Sequence, residues 1–423
     1  MMNKMLMTVG REALREKVPN LQELEELLSE ILGKEGFNMQ ELSEENKPGR
    51  QDGIKGEGMP VVKYLQQRGY LKEGGEKWLT KMGFMNIGVR ILRDVMKALK
   101  SGDLGMHETV KFGSGTTVLD TSKRYEIGDD IRLLNVPRSM LNTVQRIAKE
   151  SGSVKFPLEI KIEDFEEFET IQDVRVAIVY CIDLSSTMRY SSTMGDISRI
   201  EAAKRALWSL YVLNSKFFPT DTIYIVGFGA LASKVLPQDI PYLKTFEPGH
   251  DFLHYTNYQA ACRLASKILQ KDGAMNKRIV LVTDGHPSAC FVDNDYEKDK
   301  ILSARPYSHF YKPDKSTLET VKDRQNMSLD MSTGELVYLC YRYRQVDPYI
   351  ALKTVAEAKR CRSAGIDVDT LMVSEEDSLL SFVNDMEKHV KGRSYYINPI
   401  NLDKLLITDY LLNKKQTVST RSL

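Results

Sequence analysis

The chain has 423 residues, of which 42% are hydrophobic and 28% charged, the balance of a soluble globular protein with two or three domains. Its formal net charge of +1 excludes a global electrostatic attraction to nucleic acid or to an anionic membrane. The five cysteines are few, odd in number and without a C-x-x-C pair, which favours a reducing compartment over a disulfide framework. The sequence has neither a signal-peptide core nor a run of about 18 apolar residues that could cross a membrane, so we expect a cytoplasmic protein.

Residues 1–35 are predicted to form an N-terminal helical segment. Asn20 and Glu23 have the spacing of a capping box, and leucines at helical intervals follow them. Residues 36–58 combine several glycines with many charges, which indicates a linker. The chain therefore begins with a helical region that a polar segment separates from the next element.

Residues 60–100 are predicted to form a small unit of helix, hairpin and helix, with the hairpin around Gly74 and Gly75. This order resembles part of a winged-helix module, so a nucleic-acid-binding or regulatory role of the N-terminal half is an alternative function. The absence of a clear recognition helix disfavours nucleic acid as a partner. The basic residues of the second helix fit the outer face of an amphipathic helix better; they are Arg90, Arg93, Lys97 and Lys100.

Residues 101–172 are interpreted as a linker and lead-in segment, with a helix over 136–150. The run from Gly113 to Thr117 resembles a phosphate loop but lacks the G-x-x-x-x-G-K-[ST] pattern, which occurs nowhere in the chain. We therefore expect no ATP hydrolysis. The acidic run from Glu163 to Glu169 is typical of a solvated face, with docking of a basic partner as the alternative.

Residues 173–412 alternate between buried strands and amphipathic helices. The strand VRVAIVYCID is almost continuously apolar, as expected where both faces of a sheet are covered. Ser198 and Glu201 form a second capping box at the start of the following helix. The pattern predicts an α/β fold with a doubly wound, mostly parallel, Rossmann-like sheet, preceded by a smaller, mainly helical region. A polar insertion at 291–340 is either functional or disordered.

Three loops of this domain carry hard oxygen donors, and each lies at or near the carboxyl end of a predicted strand. Ligands bind at this edge of an open α/β sheet. Hydroxyl and carboxylate oxygens suit Mg²⁺, with Mn²⁺ or Ca²⁺ as alternatives, and do not suit zinc. The candidate metal ligands are Asp183, Ser185, Thr187, Thr256 and Asp284.

The first loop matches the D-x-S-x-S/T motif of the von Willebrand factor A (VWA) family, and Thr256 and Asp284 match the second and third loops of that family. The set resembles the metal-ion-dependent adhesion site (MIDAS). The resemblance implies that Ser185 and Thr187 bind the metal directly and that Asp183 and Asp284 act mainly through water. It implies that Thr256 binds the metal either directly or through water. Ser186, where the family usually has a residue such as glycine, and Thr187, which is often serine, are mild departures.

A closer resemblance covers the phrases KFFPTDTIYIVGFG, YTNYQAACRLASKIL and RIVLVTDGHPSA. They are similar to a group of microbial VWA proteins related to magnesium-chelatase D-type subunits, in which a region similar to GYLKEGGEKWLT precedes the VWA domain. The resemblance implies a non-catalytic subunit that docks an acidic residue of a client or of an AAA+ ATPase through its metal. The polar insertion after Cys290 departs from this group.

A hydrolase with Ser185 as nucleophile is the weaker alternative. No G-x-S-x-G elbow surrounds this residue, and His286 is the only candidate base. His250, His254 and His286 lie near the second and third loops, and a soft-metal site is the competing interpretation. We expect surface or packing histidines instead, because His250 and His254 fall in a loop rather than on one face of a helix.

Overall fold

The computed structural model describes residues 2–34, 60–98, 112–125, 134–152, 157–171, 175–191, 197–342, 345–374, 376–389 and 392–419. The interpreted linker at 36–58 and Lys100 lie outside these ranges. Within them, none of the helices combines the length and the apolar composition that crossing a lipid bilayer requires. The chain divides into two compact units, residues 1–104 with 176–410 and residues 105–175 with 411–423.

The helices, in chain order, are α1 (Met2–Leu14), α2 (Leu21–Lys34), α3 (Val61–Gln67), α4 (Lys81–Ala98), α5 (Val136–Ser151), α6 (Arg199–Phe217), α7 (Tyr258–Gln270), α8 (Asp295–Ala304), α9 (Lys315–Gln325), α10 (Pro348–Ser363), α11 (Asp377–Glu387) and α12 (Leu402–Ser419). The strands are β1 (Phe112–Arg124), β2 (Glu166–Ile171), β3 (Val176–Asp183), β4 (Thr222–Phe228), β5 (Ala232–Val235), β6 (Asn276–Thr283), β7 (Ala289–Phe291), β8 (His309–Tyr311), β9 (Val337–Leu339), β10 (Ile366–Met372) and β11 (Ser394–Tyr396).

The larger unit is built on a six-stranded sheet with the order β11-β10-β6-β3-β4-β5. All neighbouring strands are parallel except β5, which pairs antiparallel with β4 at the edge. The chain moves from β3 to β4 on one side and later returns to β6 on the other, so the strand order reverses beside β3. This confirms the predicted doubly wound α/β fold, and the reversal creates a crevice at the carboxyl ends of β3 and β6.

Burial explains why these segments form central strands. Every residue of β3 is buried, which agrees with an apolar run covered on both faces. The Ser198 side chain accepts a hydrogen bond from the Glu201 backbone N–H, as the predicted capping box requires, and α6 begins at the next residue. Because β3 and α6 meet at the carboxyl edge, the first turn of α6 lies beside the loop that follows β3.

The N-terminal segment 1–35 contains two helices rather than one continuous helix. Pro19 and Asn20 separate α1 from α2, and the Asn20 side chain accepts from the N–H groups of Gln22 and Glu23, so a new helix begins there. The predicted hairpin after α3 is a single antiparallel bridge between Leu71 and Leu79.

These N-terminal elements pack on the α/β domain within one unit. The Trp208 indole of α6 donates to the Phe84 carbonyl at 3.0 Å and stacks on the Phe84 ring. Trp78 is buried, and its indole N–H donates to the Pro19 carbonyl at 2.9 Å. Glu16 accepts from the backbone N–H and the hydroxyl of Thr245. The N-terminal helices therefore form part of the same hydrophobic core.

The polar insertion is folded, which removes the alternative of disorder. It contains α8, α9 and a three-stranded antiparallel sheet with the order β7-β9-β8. Phe291, Val337 and Tyr338 are buried in it, so its few apolar residues form a small core. The charged residues of this stretch lie largely on its two helices.

The smaller unit contains a helix and a two-stranded sheet where the sequence indicated a linker and lead-in. The strands β1 and β2 pair antiparallel, and the glycine-containing run 113–117 lies within β1 rather than in a phosphate loop. Two residues of the acidic run, Asp164 and Glu167, are each only 3% exposed, whereas Glu163 is exposed. Asp164 pairs with Arg146 of α5, and this contact lowers the pKa of Asp164 to about 2.

Candidate metal centre

The loop after β3 is organised around Asp183, which is fully buried at the end of the strand. One carboxylate oxygen accepts from the Ser185 N–H at 2.8 Å, and the other accepts from the Thr283 hydroxyl at 2.7 Å. Thr283 is the last residue of the adjacent strand β6, so Asp183 joins the first and third loops. With both oxygens hydrogen-bonded, Asp183 is better placed to hold a metal-bound water than to bind the metal directly.

The hydroxyl groups of the first loop meet the carboxylate of the third loop. Ser185 Oγ lies 3.2 Å from Thr187 Oγ1, and the Thr187 hydroxyl donates to Asp284 Oδ1 at 2.9 Å. Parallel pairing of β3 with β6 puts residues 183 and 284 at the same edge, although they are far apart in sequence. Four of the five predicted residues are thus linked in one network of hydrogen bonds.

Thr256 lies on the second loop, immediately before Asn257, whose side chain caps α7. Its backbone N–H donates to the Ser288 hydroxyl at 3.0 Å, and its carbonyl accepts from the Ser288 and Ala289 N–H groups. The second loop is therefore attached to the segment that follows Asp284. The residue is buried, at 5% exposure.

Two buried carboxylates at one place make the centre electrostatically unfavourable without a cation. Burial and the charge of Asp284 raise the pKa of Asp183 above its ordinary value, despite the hydrogen bonds that lower it. Burial also raises the pKa of Asp284, and the guanidinium of Arg199 opposes this rise. A divalent cation would remove the mutual repulsion and the tendency of these groups to hold a proton.

Arg199, which no sequence motif indicated, forms an ion pair with Asp284 Oδ2. Arg199 is the first residue of α6, where the helix dipole disfavours a positive charge. The nearby Asp284 carboxylate compensates for this unfavourable position. The sequence could have placed Arg199 near the candidate site, because a helix that follows a parallel strand begins at the carboxyl edge of the sheet.

The histidines do not form a metal site with the neighbouring residues. His250 and His254 lie in irregular backbone before α7, as expected. His286 is buried, with Nδ1 at 3.0 Å from the Ser378 hydroxyl and its ring stacked on Tyr341. Among the residues that the structure describes, no group of three or more histidine, cysteine, aspartate or glutamate side chains could hold a metal ion.

The donor set fits a hard divalent cation. Asp183 and Asp284 supply two carboxylates, and Ser185 and Thr187 supply neutral hydroxyls within the same hydrogen-bonded network. Mg²⁺ prefers such oxygen donors and keeps several of its waters. Because Mg²⁺ usually keeps several waters, an external oxygen could replace one of them at a bound ion.

Two family models match the chain. Residues 176–336 match the model described as "Rv0959-like protein, vWA domain". Residues 117–170 match "Rv0959-like protein, third domain", which corresponds to the smaller unit. The larger unit therefore contains a VWA domain.

Among curated proteins, the uncharacterized protein Rv0959 of Mycobacterium tuberculosis strain H37Rv is 26% identical over 245 residues, and the uncharacterized protein Mb0984 of Mycobacterium bovis matches equally well. The aligned region is 57% of this chain and 34% of the relative, so the chain spans about a third of the length of these proteins.

Solved structures match parts of the chain at low sequence identity and low TM-score. The vWF domain of the type V pili tip protein Mfa5 from Porphyromonas gingivalis has a TM-score of 0.40 and 14% identity, over 59% of this chain and 98% of that one. The PilB minor pilin from Streptococcus sanguinis has a TM-score of 0.39 and 17% identity, over 63% and 67% of the two chains.

Proposed function

We propose that the VWA domain is a non-catalytic, metal-dependent protein-binding module. Asp183, Ser185, Thr187, Thr256 and Asp284 would hold one Mg²⁺, and an acidic side chain of the partner would complete its coordination. When bound, the cation supplies a positive charge and an exchangeable coordination position. The residues of the chain orient the cation and balance part of its charge.

The hydrogen bond between Thr187 Oγ1 and Asp284 Oδ1 is the observation that carries this proposal. It joins two loops that are 97 residues apart in the sequence, at the strand-order reversal of the sheet. Thr187 is also exposed, whereas Asp183 and Asp284 are buried. A partner can therefore approach the centre from the side of the hydroxyl groups.

An AAA+ ATPase of the magnesium-chelatase type is the partner class that we propose. The support is the sequence resemblance to VWA proteins related to magnesium-chelatase D-type subunits. The chain has no P-loop of its own, so an ATPase partner would supply any work of remodelling or metal insertion. Affinity capture from lysate of the source cells, with Mg²⁺ or with EDTA, should enrich such an ATPase only when Mg²⁺ is present.

The metal centre is tested by titrating Mg²⁺ and Mn²⁺ into the full chain by isothermal calorimetry. Thr187→Val keeps the shape of the side chain but removes its hydroxyl, so we expect a loss of affinity of at least roughly tenfold, since outer ligand contacts alone are worth this much. Ser186→Ala is the matched control, because it lies in the same loop between the two ligand hydroxyls and should leave the affinity unchanged.

Equal Mg²⁺ affinity in wild type and Thr187→Val would contradict the ligand assignment. Wild-type Mg²⁺ binding without any effect of EDTA on partner capture would place partner binding elsewhere on the chain. Circular dichroism of each variant establishes that a loss of affinity does not come from unfolding.

A further inference from the structure

Two arginine residues flank the candidate metal centre. Arg189 ends the short 3₁₀ turn Ser186–Arg189, two residues after Thr187, and Arg199 begins α6. The backbone N–H of Arg199 donates to the carbonyl of Tyr190 at 3.2 Å, so the two arginines lie on adjoining backbone segments. Both therefore belong to the rim of the centre.

Neither guanidinium group has its hydrogen bonds satisfied. Arg199 uses Nη1 for Asp284, but its Nε is buried and has no hydrogen-bond partner in the described part of the chain. The same holds for Nε and Nη2 of Arg189. The carboxylate that pairs with Arg189 is that of Glu247, which is 84% exposed and lies 3.9 Å away, too far for a hydrogen bond.

Unsatisfied buried donors of this kind are unfavourable, and charged ones especially so. A planar guanidinium group matches the two oxygens of a carboxylate, which it can bind through two parallel hydrogen bonds. The charges around the candidate centre also favour an anionic ligand. A divalent cation bound by Asp183 and Asp284 would compete with Arg199 for the Asp284 carboxylate, which leaves the positive charge of Arg199, beside that of Arg189, available to an external anion.

We propose that Arg189 and Arg199 form a second carboxylate subsite beside the metal, so that the module recognises a pair of adjacent acidic residues in its partner. This inference rests on the proposed function. One carboxylate of the partner binds the metal, and the second accepts hydrogen bonds from the arginines. A peptide with two acidic residues is thereby distinguished from one with a single acidic residue.

The test uses two fluorescein-labelled peptides, Gly-Asp-Asp-Gly and Gly-Asp-Asn-Gly, and the full chain in saturating Mg²⁺. Fluorescence anisotropy should show roughly tenfold to hundredfold tighter binding of the Asp-Asp peptide, the range expected for hydrogen bonds to charged groups. Arg189→Gln should abolish this preference and leave the affinity for the Asp-Asn peptide unchanged. Arg189→Lys should restore the preference only in part, because lysine keeps the charge but not the paired donors.

Arg205→Gln is the matched control. Arg205 lies on the same helix as Arg199 but pairs with Asp403, so its loss should leave the preference intact. Arg189 is the primary variant because Arg199 contacts a proposed metal ligand. Calorimetric Mg²⁺ titration of Arg189→Gln should give the wild-type affinity, which separates the subsite from the metal centre.

The outcomes distinguish the two proposals. Mg²⁺-dependent binding of both peptides with equal affinity, and no effect of Arg189→Gln, would overturn the second subsite and leave the metal docking proposal standing. Equal binding in Mg²⁺ and in EDTA would overturn metal docking itself. Failure of the Mg²⁺-loaded chain to bind either peptide would overturn both, because neither carboxylate would then be recognised.

Discussion

Asp183 bears an electrostatic cost at the candidate centre. It is fully buried, and the carboxylate of Asp284 lies in the same network of hydrogen bonds. Hydrogen bonds from Thr283 and Ser185 offset only part of the cost of burial, so the pKa of Asp183 is raised. The ionised form of Asp183 is therefore unfavourable in the metal-free protein.

Asp183→Asn should make the metal-free protein more stable at neutral pH. A raised pKa means that the folded protein holds a proton that the unfolded chain releases, so the contribution of Asp183 is most favourable at low pH. This contribution falls as the pH rises above about 4, the ordinary carboxyl value. In urea unfolding with EDTA, we expect the free energy of unfolding of the variant to exceed that of wild type by roughly 1–3 kcal/mol near pH 8, the usual size of the effect of one buried substitution.

The two proteins should differ little at about pH 4, where Asp183 is protonated in both the folded and much of the unfolded state. Parallel curves of unfolding free energy against pH would show that Asp183 titrates normally in the folded state. The same variant should lose Mg²⁺ affinity, which separates the electrostatic gain in stability from an unrelated improvement in packing.

At the scale of elements, the insertion contacts the loops of the candidate metal centre. The Ser288 hydroxyl accepts from the Thr256 N–H, and the Ser288 carbonyl accepts from the Cys340 N–H at the end of the insertion. Phe252 of the second-loop segment contacts Tyr311 of β8, with ring centroids 5.5 Å apart. The insertion therefore supports one wall of the candidate site.

Gly334→Ala should loosen the insertion. A Cβ atom at this position would clash with the ring of Phe291, which is fully buried and cannot easily move. Overpacking of this kind costs about 1–3 kcal/mol. Hydrogen exchange followed by mass spectrometry should show faster exchange over residues 289–339 than in wild type. Gly273→Ala is the control, because nothing lies within 4 Å of its added Cβ atom.

Unchanged exchange over 289–339 in Gly334→Ala would mean that the ring of Phe291 can shift without cost. A change confined to the insertion, with protection of β3 and β6 retained, would establish that the insertion opens separately from the central sheet. A reduced Mg²⁺ affinity in the same variant would show that the insertion affects metal binding at the candidate centre.

At the scale of the whole molecule, the N-terminal helices and the VWA domain belong to one compact unit. The two tryptophans report on its two parts, because Trp78 lies between α3 and α4 and Trp208 lies on α6. Both are completely buried. The shared core predicts that both parts unfold together, although the sequence between them is long.

Mg²⁺ should raise the melting temperature reported by each tryptophan equally. Trp78→Phe and Trp208→Phe each leave one fluorophore, and the fluorescence midpoint of each variant should coincide with its midpoint by circular dichroism. Mg²⁺ at a hundred times its dissociation constant adds about 2.7 kcal/mol to the stability of a protein that binds it only when folded. We expect an upward shift of a few degrees, and no shift when Asp183→Ala is added as the control.

Two separate transitions, of which only that of Trp208 responds to Mg²⁺, would show that the N-terminal helices form an independent folding unit. Loss of the shift in Asp183→Ala, with both transitions still coincident, would tie the stabilisation to the metal centre.

The sequence by itself determined the class of the fold and the edge where the candidate site lies. Strands such as β3 are uniformly apolar, and capping residues such as Ser198 act over three residues, so both features are visible locally. The D-x-S-x-T spacing of Asp183, Ser185 and Thr187 is equally local. That these residues hold a metal stays a prediction, which the geometry makes testable.

Only the tertiary structure decided which distant groups meet. The ion pair between Arg199 and Asp284 joins residues 85 positions apart, and no local pattern encodes it. The strands of the insertion have three residues each, too few to show a periodicity of their own. Their stability comes from pairing and burial between distant segments. Short-range rules describe one element at a time, whereas charge pairing and burial depend on neighbours that only the folded chain supplies.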